Sequence, residues 1–161
     1  MTAKRINFRA GAEISAMMKA IATMAEHAST SDMIRTAVAV AYLSWCEYSN
    51  KLVLKHRDGR QIGLGFPEPS KFDTKLNQII QVRSDDALSK YLHELAGSGF
   101  AGSATEIIRR SLGLYRFLLQ CREEGWDCGY MTEAGYFTLI PILSLIRPHR
   151  PSPLFRKDLP K

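Results

Sequence analysis

The sequence predicts a mainly α protein with short β-strands, in which a unit of strand, two helices and a small hairpin occurs twice. Three observations carry this. Two short alternating stretches, Arg5-Ile6-Asn7-Phe8-Arg9 and Ile79-Ile80-Gln81-Val82-Arg83, each stand just before an amphipathic run. Two polar helix-start signatures, Ser29-x-x-Asp32 and Ser103-x-x-Glu106, each open a second apolar-periodic run. The halves also align at a constant offset of 74 residues, without a gap from the first strand through the second helix. Ile6/Ile80, Arg9/Arg83, Ser29/Ser103 and Arg35/Arg109 are identical pairs at that offset. Each pair is weak alone, but the common offset is hard to obtain by chance.

In the strands, side chains alternate between faces. Ile6 and Phe8 share one face, as do Ile80 and Val82, leaving Arg5, Asn7, Arg9, Ile79, Gln81 and Arg83 on the other. A first helix is expected over 12–27, where Ile14, Met18, Ile21 and Ala25 recur at helical spacing. A second is expected over 30–49, with an apolar stripe of Ile34, Val38, Ala41 and Trp45. Asp58-Gly59, between alternating segments, predicts a hairpin. Pro67 and Pro69 mark a connector. In the second half, helices are expected over 85–96 and 104–124, and a hairpin over 128–142 turning near Ala134-Gly135. The organisation is therefore 1–65 first repeat, 66–76 linker, 77–146 second repeat and 147–161 a basic, proline-rich tail, with the two repeats intertwined as one domain.

Composition narrows the function. The chain has 161 residues, 45% hydrophobic and 24% charged, enough apolar material for a core. Its net charge of +6 points to a polyanionic partner, nucleic acid before an acidic membrane surface. The plain alternative is a basic protein with no such partner. Cys46, Cys121 and Cys128 form no C-x-x-C pair and no metal-ligand spacing, and His27, His56, His93 and His149 are scattered. Metal and cofactor are therefore expected to be absent. The N-terminal residues lack the apolar stretch of a secretion signal, and the run from Tyr136 to Ile146 is too short to span a bilayer. A cytoplasmic location follows, with no membrane partner. No nucleophile–base arrangement, phosphate loop or paired-acid motif appears, so an enzyme is not expected.

Strand, helix, short polar turn and helix, with Arg5-x-Asn7-x-Arg9 on the strand, resembles the ribbon-helix-helix family of the Arc and MetJ repressors. Ser31-Asp32-Met33-Ile34-Arg35 and Thr105-Glu106-Ile107-Ile108-Arg109 are similar to that family's entry into its second helix. The resemblance covers about residues 3–50 and 77–125, and leaves out the hairpins and the tail. Two copies in one chain are similar to the tandem, TraY-type conjugation proteins. The resemblance implies an intramolecular pseudo-dimer: a two-stranded antiparallel ribbon over four helices, each motif followed by a small β-hairpin, the ribbon lying in a DNA major groove.

Pairing about a pseudo-twofold would set Asn7 opposite Gln81, Arg5 beside Arg83 and Arg9 beside Ile79. Arginine pairs with guanine, and asparagine or glutamine with adenine. Arg5, Asn7, Arg9, Gln81 and Arg83 are thus the expected base-contacting set. Ile79 joins it through a thymine methyl. The bland alternative is a solvated strand face. The resemblance further implies phosphate contacts at the second helix of each half, at Ser29, Thr30, Ser31, Ser103, Ala104 and Thr105, where plain capping is the competing role. Lys4 is a further expected phosphate contact. Asp32 with Arg35, and Glu106 with Arg110, stand at ion-pair spacing.

The expected function is sequence-specific recognition of double-stranded DNA, as a transcriptional repressor or as an accessory factor in plasmid or conjugative DNA processing. A second copy on adjacent sites and a protein partner such as a relaxase fit that role. The rival is an antitoxin-like module that binds a toxin and its own operator. The basic tail (Arg147, Arg150, Arg156, Lys157) counts against it, because toxin-binding tails are more often acidic or amphipathic.

Overall fold

The computed structural model describes residues 4–47, 52–64 and 78–139. The linker 66–76, the end of the second expected helix and all of 140–161, tail included, lie outside the described residues. In chain order the elements are β1 (Lys4–Ala10), α1 (Ala12–Met24), α2 (Thr30–Tyr42) running into a π-helical turn (Leu43–Glu47), β2 (Leu52–His56), β3 (Gln61–Gly63), β4 (Gln78–Ser84), α3 (Asp86–Gly97), α4 (Ala104–Glu123), β5 (Trp126–Met131) and β6 (Phe137–Leu139).

The strands form two antiparallel sheets. One is the pair β1–β4, and the other has the order β3-β2-β5-β6. The expectation of a mainly α fold of two ribbon-helix-helix motifs, each trailed by its own hairpin, is corrected here. The fold is an α+β mixture of four α-helices and six strands among the described residues. The physical reason lies in the second sheet. A lone hairpin is marginal in water. β2 and β5 instead pair along Leu52↔Tyr130 to His56↔Trp126, so strands from both halves share one sheet. Leu54 and Cys128 meet at its centre and are both buried. The halves also differ in their helices: α2 loosens into the π-turn after Tyr42, whereas α4 runs 20 residues without interruption.

Each helix follows from its apolar spacing. α1 buries Ile14, Met17, Ile21 and Met24, and α3 buries Leu88, Leu92 and Leu95. Met17 takes the inward place expected of Met18, which is half-buried. α1 stops three residues short of the expected His27. Its C-cap Ala25 is extended (φ −140°, ψ 144°), and His27 turns inward. α4 is the central helix, in contact with α1, α2, α3, β1 and β5. That placement explains why its apolar stripe is broad, with Ile107, Ile108, Leu112, Leu114, Tyr115, Leu118 and Leu119 all buried. Each such leucine or isoleucine contributes roughly 1.5–3 kcal/mol on burial.

The two tight turns of the second sheet need glycine. Gly59 has φ 97° after Asp58, and Gly135 has φ 85° after Ala134. Both lie in the left-handed region where a Cβ is costly.

Candidate nucleic-acid interface

β1 and β4 pair over seven residues, with Arg5↔Arg83, Asn7↔Gln81 and Arg9↔Ile79 as cross-strand partners. This is the register expected from the repeat. Phe8 and Val82 are 1% and 0% exposed and anchor the inner face, with Ile6 and Ile80 half-buried beside them. Arg5, Asn7, Arg9, Gln81 and Arg83 are exposed, and Ile79 is 64% exposed. The strand pair thus has a dry face seated on the helices and an outward face of five polar side chains and Ile79. Its first residue, Lys4, is paired with Ser84 through the backbone.

The outer face is electrostatically one-sided. Three arginines stand on it with no acid among the six. Arg5 and Arg83 are directly opposed, an arrangement that disfavours the free strand pair. A polyanion above them would offset that repulsion. Ile79 is an exposed apolar side chain among arginines, mostly out of contact with the core.

The N-termini of α2 and α4 are built alike. Ser29 Oγ accepts from the Asp32 N–H at 3.1 Å, and Ser103 Oγ accepts from the Glu106 N–H at 3.2 Å. In return, Asp32 Oδ2 accepts from the Ala28 N–H and Glu106 Oε2 from the Gly102 N–H, both at 3.3 Å. These are reciprocal caps that reach one residue further back than the usual box. Ser31 Oγ accepts from the Arg83 N–H at 3.2 Å, which ties the α2 terminus to β4. Ser29, Thr30, Ser103 and Ala104 are exposed, while Ser31 and Thr105 are half-buried. Ser29 and Ser103 thus act as caps, and Ser31 adds a tie to the strand pair. The carboxylates of Asp32 and Glu106 already answer part of the positive end of each helix dipole.

Asp32, Arg35 and Arg110, which stand at ion-pair spacing in the sequence, make contacts with residues further away. Asp32 Oδ2 lies 3.0 Å from His27 Nδ1, and Arg35 Nη1 lies 4.0 Å from Asp85 Oδ2. Arg110 donates to the Phe100 carbonyl and lies over the Phe100 and Trp45 rings, at 4.6 and 5.8 Å from their centroids. The first of these contacts builds a chain that the sequence did not announce. His27 Nε2 is 2.7 Å from the Tyr115 hydroxyl, so Asp32, His27 and Tyr115 are linked in series. Burial raises the Asp32 carboxyl, but the hydrogen bonds from His27 and Ala28 outweigh it and hold the group below its usual value. Burial also holds the Tyr115 proton well above the usual phenol range. The only sequence signal for the chain was a histidine five residues before a capping aspartate.

Beside this end of α2, a cleft of about 440 Å³ opens between α2 and α3, lined by Asp32, Arg35, Thr36, Asp85, Leu88 and Tyr91 among others. It offers charges of both signs and no nucleophile–base pair. Cys121 and Cys128 are buried free thiols, and burial pushes Cys128 up to about 12, where the reactive thiolate is not populated at neutral pH. Among the described residues, no group of three or more His, Cys, Asp or Glu is arranged to hold a metal ion, and no helix is long and apolar enough to cross a membrane.

Comparison of the chain with protein-family models, with curated protein sequences and with solved structures finds no match.

Proposed function

We propose that this chain is a sequence-specific double-stranded DNA-binding protein that lays its β1–β4 pair in the major groove. The observation that carries the reading is the Asn7–Gln81 cross-strand pair, exposed and flanked by Arg5, Arg83 and Arg9 on one face of a strand pair whose other face is buried. A major groove about 12 Å wide admits two such strands, and these side-chain types are the ones that form paired hydrogen bonds to base edges. The net charge of +6 supplies the long-range attraction to phosphate. The α2 and α4 termini and Lys4 supply contacts to the backbone on either side, which set orientation and not sequence. In a cell such a protein acts in the cytoplasm as a transcriptional regulator, a repressor in the simplest case, or as an accessory factor in plasmid or conjugative DNA processing.

The test is binding of a recovered DNA site and of unrelated duplex at several salt concentrations, for wild type and for the double variant Asn7→Ala, Gln81→Ala. The double variant is expected to lose about tenfold or more on the preferred site and to keep its weak binding to unrelated duplex. Unchanged affinity and unchanged preference would refute the reading.

A further inference from the structure

The outer face of the β1–β4 pair departs from twofold symmetry at one place. An axis through the Asn7–Gln81 pair relates Arg9 to Arg83, and Asn7 to Gln81, which share their hydrogen-bonding chemistry. The same axis relates Arg5 to Ile79, which do not. One end of the strand pair therefore presents two arginines side by side, Arg5 and Arg83, and the other presents Arg9 beside Ile79. Ile79 is 64% exposed, so no packing demand selects an apolar side chain there. The inward neighbours on either side of the axis, Ile6 and Ile80, are the same residue and are both half-buried. The other inward pair, Phe8 and Val82, differs in size but is apolar and buried on both sides, so the exchange of an arginine for an isoleucine belongs to the outward face.

We infer that Ile79 fixes the polarity of the protein on DNA, so that one chain reads one asymmetric site in one direction. The inference rests on the proposed groove-reading role and deepens it. Arginine donates two hydrogen bonds to the O6 and N7 of guanine. Isoleucine donates none and leaves those acceptors unpaired, but it packs on the C5-methyl of thymine. The base pair under Arg5 is therefore guanine-bearing, and its dyad-related counterpart under Ile79 is thymine-bearing. In the reversed orientation Ile79 covers the guanine and Arg5 the thymine methyl, and both contacts are lost together. Because both strands belong to one chain, no exchange of partners can restore symmetry.

The experiment begins with selection from a randomised duplex library by the full chain. The shortest bound duplex is then defined, and its stoichiometry is measured by sedimentation. Two palindromes are made from that site, one repeating the half under the two-arginine end and one repeating the half under the Arg9–Ile79 end. Wild type is expected to bind the recovered site as one chain, and each palindrome about tenfold more weakly. Ile79→Arg, at an exposed position, is expected to invert the order and bind the two-arginine palindrome best. Equal wild-type affinity for the recovered site and that palindrome would overturn the inference. So would a palindromic shortest site filled by two chains, or an unchanged ranking in Ile79→Arg. Failure to recover any preferred duplex would instead remove the DNA-reading role itself, and this inference with it.

Discussion

His27 Nε2 and the Tyr115 hydroxyl meet at 2.7 Å although 88 residues separate them in the chain. The contact joins the α1–α2 turn to the middle of α4 and lies next to the α2 N-terminus. Asp32 accepts from Nδ1, and the tyrosine hydroxyl is the partner of Nε2. Tyr115 is fully buried and the His27 side chain is 6% exposed, so water cannot replace the missing partner if either is removed. Tyr115→Phe leaves a buried ring nitrogen unpaired and is expected to destabilise the protein by about 1–3 kcal/mol. The urea midpoint measures this. A change within a few tenths of a kcal/mol would mean that the hydroxyl contributes nothing to holding the turn.

The same three residues give stability a pH dependence at both extremes. The folded pKa of Asp32 lies below its ordinary 3.8, mainly because the His27 and Ala28 hydrogen bonds exceed the opposing effect of burial. The unfolded chain therefore takes up a proton first as pH falls, and the stabilisation present above 3.8 is lost as pH drops through the folded value. The Tyr115 shift runs the other way. Its folded pKa is raised, so stability is intact below the usual value near 10 and declines above it, where only the unfolded chain ionises. Asp32→Asn is expected to be less stable than wild type at neutral pH, with the gap narrowing below pH 3.8. Tyr115→Phe should flatten the loss above pH 10. Melting temperatures across pH would show both, and parallel curves for variant and wild type would contradict the assignment. Asp32 is 39% exposed, so solvent screening keeps its share small.

Arg5 and Arg83 oppose one another across the β1–β4 pair with both side chains exposed. Like charges in that position cost a few tenths to about 1 kcal/mol. Arg83→Thr removes the repulsion, leaves a good strand former and is expected to stabilise the free protein by that amount. It should also weaken duplex binding by about tenfold, through the loss of a guanine contact. A gain in stability with a loss in binding separates a surface shaped for a ligand from one shaped for folding. If the variant is both less stable and unchanged in binding, the pair is structural.

The parts of the molecule legible in the sequence are those governed by short-range rules. The β1–β4 register followed from period-two alternation combined with the repeat offset, because centring the pair on the pseudo-twofold of the repeat sets Asn7 opposite Gln81. The two caps followed from serine placed three residues before an acid. What escaped was set by contacts between distant segments. Leu54 and Cys128 face each other only because β2 and β5 run together, and neither short strand says which partner it will take. His27 read as one of four scattered histidines, since its partner Tyr115 sat in an apolar helical run and looked like ordinary core. The place of Ile79 opposite Arg9 was legible from the repeat, but its exposure was not, since nothing in a short strand says how far the helices beneath cover its edge.

The four-stranded sheet is tested at Gly129. A Cβ built there would collide with the Thr138 carbonyl oxygen and stand 2.5 Å from the Phe137 ring. The oxygen belongs to the neighbouring backbone and cannot rotate away, so the two strands must part or shift. Gly129 pairs with Leu139 on one side and with Val53 on the other, at the junction where β5 joins β6 to β2. Gly129→Ala is therefore expected to destabilise by about 1–3 kcal/mol, the range for overpacking at a closed site. Amide exchange should speed up in β5 and β6 before it does in β1 and β4, because the strand pair lies on a different sheet. Gly63→Ala in β3 is the matched control, since nothing lies within 4 Å of its added methyl. Equal melting temperatures for both variants and wild type would mean that β6 does not lie over Gly129, and that the sheet ends at β5.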